Sequence, residues 1–257
     1  AKALGADVNV QNANGDVQEQ IEQIEYFIKK QMDVIAVVAG DCDALSDVMK
    51  KAKDAGIRTV SYDRLITNAD CDLYISFDNE EVGSGTKQGA DSTFLEDTLK
   101  RINRNLGRSE EEFLMSLASS FMISADNAHA VHPNLDLKAD PTNRPYMNEG
   151  IVIKYNANQK YTTDAVSAAM FKVLCQEADV PFQTFANRSD MPGGSTLGNI
   201  SNAHVSLNTV DIGLPQLSMH SPYETAGVMD TCYLTKVAAH FYSACIRAGE
   251  GGCYEVV

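Results

Sequence analysis

Phe77-Asp78-Asn79-Glu80-Glu81-Val82-Gly83 closes the apolar run Leu73, Tyr74, Ile75, and its adjacent glutamates decide how the rest of the chain is read. A carboxylate pair at the C-terminal edge of a buried strand lies where α/β proteins place their chemistry, one carboxylate binding a metal while its neighbour acts as a base. The plainer alternative is a turn leading into a solvated acidic helix start.

Upstream of that stretch, strand and helix patterns alternate. Asp7 to Val10 reads as a short strand, Asn14-Gly15 as a turn, and Asp16 with Glu19 as a capping box. Val17, Ile21, Ile24 and Ile28 then make one apolar helix face. Asp33 to Ala39 is nearly all apolar, as strands of a parallel sheet covered on both faces are. Asp43 is placed to cap a helix with the stripe Leu45, Val48, Met49 and Ala52, stopped by Gly56 in a left-handed conformation. Thr59 to Tyr62 and Leu73 to Phe77 return as strands. This is βαβ arithmetic, and it predicts adjacent parallel strands continuing into the sheet that carries Phe121 to Ser124. No glycine-rich phosphate loop accompanies the strand ends, so no nucleotide cofactor is expected.

Downstream, Leu95, Leu99, Ile102 and Leu106 form a helix stripe ended by Gly107, and Ser109 with Glu112 makes a second capping box. Phe121 to Ser124 reads as a strand ending at Ser124-Ala125-Asp126-Asn127-Ala128-His129, a carboxylate and an imidazole at a sheet edge. Gly150 to Tyr155 is a strand, and Thr163 starts a helix through Ala178. Pro192-Gly193-Gly194 is a loop before a short helix, and His204 to Ile212 is a strand. His220 precedes a long helix from about Glu224 to Ala248.

The 257 residues suffice for one large domain or two small ones, and 44% hydrophobic content marks a globular chain. A net charge of -14 repels phosphate backbones, so nucleic acid is not an expected partner. No apolar run approaches the roughly 18 residues of a membrane span, and the first residues lack a signal-peptide pattern, so a soluble, cytoplasmic protein is expected. Cys42, Cys71, Cys175, Cys232, Cys245 and Cys253 show no metal-binding spacing and read as free thiols, with pairing among the last three left open.

The segments "ANGDVQEQIEQIE" and "DVIAVVAGDCDALSDVMKKAKDAGIRTVSYDRLITNADCDLYISFDNEEVG" resemble the N-terminal lobe of periplasmic sugar-binding proteins of the xylose type. That resemblance covers residues 1–77 and implies that Asp63 and Arg64 of the Tyr-Asp-Arg segment contact sugar hydroxyls. It also implies a first strand and a second lobe that this sequence does not contain.

From residue 77 the text is similar to the C-terminal half of zinc-dependent aspartyl aminopeptidases. "FDNEEVGSGTKQGADSTFLEDTLKRIN", "SADNAHAVHPN", "NEGIVIKYNANQKYTTDAVSAAMF", "RSDMPGGSTLGNIS" and "DIGLPQLSMHSPYETAG" occur in the family's order. The resemblance implies that Glu80 is the general base taking a proton from the attacking water, and that Glu81 and His220 share one zinc while Asp126 serves the other. It implies that Lys154 receives the acidic side chain of the substrate, and that His129, His132 and the loop from Gly193 to Gly198, Gly194 included, line the substrate site. For any of these residues alone a plainer role is available: Asp126 as a turn cap, His220 as a loop histidine bonded to a carbonyl, Lys154 as an exposed strand lysine.

The resemblance further implies a histidine and a bridging aspartate upstream of Glu80, where this chain carries sugar-binding-like sequence and no histidine precedes His129. Zinc is therefore expected to bind weakly or not at all, with hydrolysis of N-terminal Asp or Glu weak or lost. Active aminopeptidase and sugar-binding module stand as alternatives. If the Thr59 to Tyr62 strand lies beside the Glu-Glu strand, Asp63 is placed as a substitute ligand; otherwise it pairs with Arg64 or caps a turn. The fold expected is a single α/β domain, a three-layer α/β/α sandwich with a mixed sheet. An N-terminal parallel βαβ half, residues 1–77, is joined to a zinc-peptidase-like half, residues 78–257. The change of family at a shared phrase suggests recombination, with laboratory construction the simplest origin. Small peptides are the expected partners, and self-association stays open.

Overall fold

The computed structural model describes residues 7–62, 66, 68–69, 71, 73–75, 84–249 and 254–256. The chain divides into two compact units, one of residues 10–78 and one of residues 1–9 with 79–257.

The smaller unit contains α1 (Val17–Lys29), β1 (Val34–Val37), α2 (Ser46–Asp54), β2 (Arg58–Tyr62) and β3 (Leu73–Ile75). Its three strands pair in parallel in the order β1-β2-β3, as the βαβ pattern requires. Asn14 and Gly15 turn the chain with φ of 51° and 84°. Asp16 then caps α1 by accepting the Gln18 and Glu19 amides at 2.8 and 3.1 Å, but the return bond of the expected capping box is not made, since the Glu19 carboxylate accepts from the Gln23 side chain instead. Ile24, Ile35, Val37, Leu45, Val48 and Met49 form the core between helices and sheet, and Gly56 stops α2 at φ 77°.

Two local expectations fail along this stretch of the chain. Asp7 to Val10 is not a strand: Val10 is exposed and nothing among the described residues pairs with it. Asp43 does not cap α2, because Asp41 Oδ1 takes the Asp43 and Ala44 amides at 2.9 Å and turns the chain earlier, so the helix begins only at Ser46.

The larger unit holds α3 (Phe94–Asn105), α4 (Glu110–Ala118), β4 (Phe121–His129), β5 (Ile151–Tyr155), α5 (Ala165–Glu177) and β6 (Phe182–Ala186). After these come α6 (Leu197–Ser201), β7 (Asn208–Leu217), β8 (Thr225–Ala226), α7 (Val228–Ser243), β9 (Ile246–Ala248) and β10 (Tyr254–Val256). Five strands form a mixed sheet, ordered β4-β7-β5-β6 with β8 on β7. β4 runs parallel to β7 and β5 to β6, while β5 and β7 are antiparallel. The α/β class and the mixed sheet are thus as expected. Among the described residues, however, no ladder joins this sheet to β1-β2-β3. The ladders among the described residues are those within each sheet, with β4 paired along its whole length to β7 on one of its two edges.

Strand alternation sorts the sheet into two chemically different faces. Ile151, Ile153, Val210 and Ile212 point to one face and pack on Phe171 and Leu174 of α5 and Val237 of α7. The intervening residues Val152, Lys154 and Asp211 lie on the other face, with Ser124 and Asp126 of β4 in register beside Asp211 and Gly213. That second face carries the candidate site.

Several boundaries differ from the pattern reading. β4 extends to His129, so Asp126 lies within a strand rather than at its end. β6 was not anticipated: Phe182 and Phe185 lie three residues apart and so fall on opposite faces, one packed on each cluster, and no two-residue alternation marks the strand. Asp164 rather than Thr163 caps α5. α7 is shorter than expected, since Thr225 and Ala226 pair with β7 and Ile246 to Ala248 pair with β10. The α3 stripe is only half covered: Ile102 and Leu106 are exposed, while Asn103 is buried and donates to the Arg108 and Ser109 carbonyls at 3.3 and 3.0 Å. Gly107, at φ 70°, and the reciprocal Ser109–Glu112 capping box are as predicted. Among the described residues no helix is long and apolar enough to cross a membrane.

Candidate functional site

Lys154 stands at the centre of the polar face and is only 2% exposed, against the plainer reading of an exposed strand lysine. Ala128, Val152, Tyr161 and Phe185 form a buried apolar cluster on this face of β5. An ammonium removed from water needs compensation worth several kcal/mol. Here Nζ donates to the Asn127 carbonyl at 3.1 Å, lies 3.5 Å from Asp126 Oδ2 and sits 5.2 Å from the centre of the Tyr161 ring. Asp126 keeps part of its carboxylate open to solvent, so the pair offers one wet anion above one dry cation.

His129 ends β4, its ring centroid 6.3 Å from that of Phe185. The residue is exposed, yet the atoms packed round its ring depress its pKa below the ordinary histidine value. The positive fields of His220 and Lys154 push in the same direction and Asp126 opposes them. The structure therefore brings Asp126, His129, Lys154 and His220 within one electrostatic neighbourhood. His220 occupies a turn with φ 65°, a left-handed conformation uncommon outside glycine, and its backbone N–H donates to Glu224 Oε1 at 2.5 Å. His132 is fixed locally, its Nδ1 accepting the Asn134 amide at 3.2 Å.

Glu80, Glu81, Asp63 and Arg64 lie outside the described residues. Among the described residues no group of three His, Cys, Asp or Glu side chains is placed to hold a metal ion. The donor chemistry of Asp126 and His220, one carboxylate and one imidazole, nevertheless fits zinc.

The glycine loop crosses the same face. Gly193 lies against Asn156 and Asn187, which bond to each other at 3.1 Å just beyond β5 and β6; a Cβ there would come within 2.8 Å of both side chains. Gly194 is exposed with open space around it. Gly198 presses on Ser124 and Asp211, where a Cβ would meet Asp211 Oδ1 at 2.6 Å. Pattern reasoning passed over Asp211, Tyr161, Thr162 and Thr196. The signal available was a carboxylate inside the apolar run Val210-Asp211-Ile212, where an unpartnered charge is not tolerated.

Residues 51–242 match the sequence profile of the aminopeptidase I zinc metalloproteases (M18), and residues 1–91 match that of a periplasmic binding protein domain. A probable M18 family aminopeptidase 2 of Clostridium novyi is 54% identical over 171 residues, 66% of this chain and 40% of that protein. Aspartyl aminopeptidase 1 of Schizosaccharomyces pombe is 46% identical over 167 residues, 65% of this chain and 35% of that protein. The chain thus spans two fifths or less of the length of these relatives. Among solved structures, the complex of Ape4 and Nbr1 contains a chain 44% identical with a TM-score of 0.63, covering 69% of this chain and 34% of its own. A Saccharomyces cerevisiae mApe1 structure described as a dodecamer is 26% identical with a TM-score of 0.57, covering 78% of this chain and 42% of its own.

Proposed function

The chain belongs to the aminopeptidase I (M18) family of zinc metalloproteases, and on that premise we propose that its larger unit is an acid-selective metallo-aminopeptidase site acting slowly on peptides that begin with Asp or Glu. Lys154 is the observation that carries this reading: a cation withdrawn from water with one carboxylate nearby is built to receive another. A substrate carboxylate meeting it there gains a charge-assisted hydrogen bond in a medium that screens weakly. A neutral side chain at the same position would leave the ammonium no better paired than before.

Glu81, Asp126 and His220 are the residues proposed to hold zinc, which would polarise the scissile carbonyl and lower the pKa of the attacking water. Glu80 is the proposed acceptor of that water's proton, by the match of its motif. His129, neutral near neutral pH because of its surroundings, would offer the substrate a hydrogen bond without adding positive charge beside the metal ligands. His132 and the Gly193 to Gly198 loop would wall the pocket. Turnover is proposed to be slow because Glu81 and His220 give one metal two protein ligands and Asp126 gives the other a single one, whereas catalytic zinc uses three.

The overlapping matches at residues 1–91 and 51–242 support a join between a sugar-binding-type lobe and a peptidase half, which we place near Phe77. They also favour a second reading, a xylose-type sugar contact through Asp63 and Arg64, which calorimetric titration with xylose tests in the Asp63→Ala variant. Self-association is proposed from the relative described as a dodecamer. The peptidase reading is tested with L-aspartyl- and L-alanyl-p-nitroanilide in the presence of zinc. Acid-selective hydrolysis abolished in Glu80→Gln supports it, and hydrolysis equal for the two substrates contradicts it.

A further inference from the structure

We propose that Asp211 is a positioning residue: its buried carboxylate locks two separate loops, the Thr162 turn and the Thr196 end of the glycine loop, onto the middle of β7 and so sets the walls of the pocket around Lys154. The inference rests on the reading of that pocket as the receptor for a substrate carboxylate.

Asp211 is fully buried between Val210 and Ile212 on the strand at the heart of the mixed sheet. Its two oxygens are divided between the loops. Oδ2 accepts from the Thr162 amide at 2.6 Å and the Thr162 hydroxyl at 2.8 Å, and Oδ1 accepts from the Thr196 hydroxyl at 2.9 Å. Thr163 completes the anchor, its hydroxyl accepting from the Asp211 amide at 2.9 Å and donating to the Asp211 carbonyl at 3.3 Å. All these donors are neutral, so a carboxylate taken out of water depends on their joint geometry and in turn fixes it.

Each tether leads directly to the pocket. Thr162 follows Tyr161, whose ring lies 5.2 Å from the Lys154 ammonium and packs on Phe185 at 6.3 Å between centroids. Thr196 ends the loop that begins at Gly193, and two residues on, Gly198 has no room for a Cβ beside Asp211 Oδ1. One carboxylate therefore sets both the aromatic wall beside the cation and the height of the glycine loop. A misplacement of about 1 Å in such walls is enough to change turnover by roughly a hundredfold.

The test compares wild-type chain with Asp211→Leu, Asp211→Asn and Thr196→Val by amide hydrogen exchange, and by KM, kcat and the ratio of L-aspartyl- to L-alanyl-p-nitroanilide hydrolysis with zinc. Leucine keeps the bulk and removes every acceptor. In Asp211→Leu exchange should quicken about tenfold or more in both 160–163 and 193–198 while β5 and α5 keep their protection. The aspartyl preference should then fall about tenfold, chiefly through KM. Thr196→Val should loosen only 193–198, and Asp211→Asn, whose amide still accepts from the Thr162 N–H and donates to the Thr196 hydroxyl, should restore both loops and the preference. The proposal is overturned if both loops stay protected in Asp211→Leu, if protection is lost evenly through β5, β7 and α5, or if loosened loops leave KM and preference unchanged. Should Asp211→Leu not fold, unchanged exchange of 193–198 in Thr196→Val overturns it. Should the wild-type chain hydrolyse neither substrate, the peptidase reading fails while the exchange data still decide whether Asp211 ties the loops.

Discussion

At the scale of single residues, the proposed site turns on the buried charge of Lys154 and the depressed basicity of His129. Replacing Lys154 by Met keeps the apolar stem and removes the charge, so the ratio of aspartyl to alanyl hydrolysis should fall about tenfold or more, the order of a charge-assisted hydrogen bond. Lys154→Arg should not rescue it, because a planar guanidinium would have to replace a fully buried ammonium already held by the Asn127 carbonyl and the Tyr161 ring. His129 sets a pH dependence. Its folded pKa lies below 6.5, so the unfolded chain takes up the proton first. The stabilisation from the neutral ring is complete above 6.5 and is lost as pH falls through the lower folded value. The urea midpoint should therefore decline between about pH 7 and about pH 5, and His129→Gln should flatten that decline. Cys175 is a contrasting buried group: burial pushes its thiol up to about 12, so it stays inert toward alkylating reagents while the exposed Cys232 reacts.

At the scale of elements, short-range chemistry explains where helices begin and end, and long-range pairing explains what their faces meet. Ser109 and Glu112 satisfy each other's amides at 3.3 and 2.7 Å, so Ser109→Ala should lower stability by about 1 kcal/mol in chemical denaturation. Gly198→Ala should act differently, pushing the glycine loop off Ser124 and Asp211 with loss of acid preference rather than of global stability. These local devices were legible in the sequence: the Asp16 cap, the Ser109 box, the stops at Gly56 and Gly107, and the Asn14-Gly15 turn were all named from their residues. Register and face were not. Ile102 and Leu106 were expected to be covered, yet no periodicity says whether a neighbour reaches them. β7 was read as starting at His204, but Val205 is buried in a turn and the ladder begins at Asn208. Asp126, Lys154 and His129 were named as candidates through their motifs. Asp211 was not, because its partners Thr162 and Thr196 lie far from it along the chain and only the fold brings them to one carboxylate.

For the molecule as a whole, the larger compact unit falls mostly within the peptidase-family match and contains the polar sheet face on which Asp126, Lys154 and Asp211 converge, while the two family matches overlap over residues 51–91. The net charge of -14 makes that unit's buried cation an exception in an acidic chain, and on the proposed reading local desolvation rather than the global field would favour a substrate carboxylate beside it. If the chain assembles as the relative described as a dodecamer does, light scattering should give a mass twelve times 27.9 kDa, and a mass of 27.9 kDa would contradict it. The most direct measurement is hydrolysis of L-aspartyl- against L-alanyl-p-nitroanilide by the full chain as zinc is titrated, repeated with Lys154→Met. Slow, zinc-dependent turnover that prefers the aspartyl substrate about tenfold or more, with the preference gone in Lys154→Met, is the predicted result. Turnover that ignores zinc, treats both substrates alike, is absent altogether, or keeps its preference without Lys154 would contradict it.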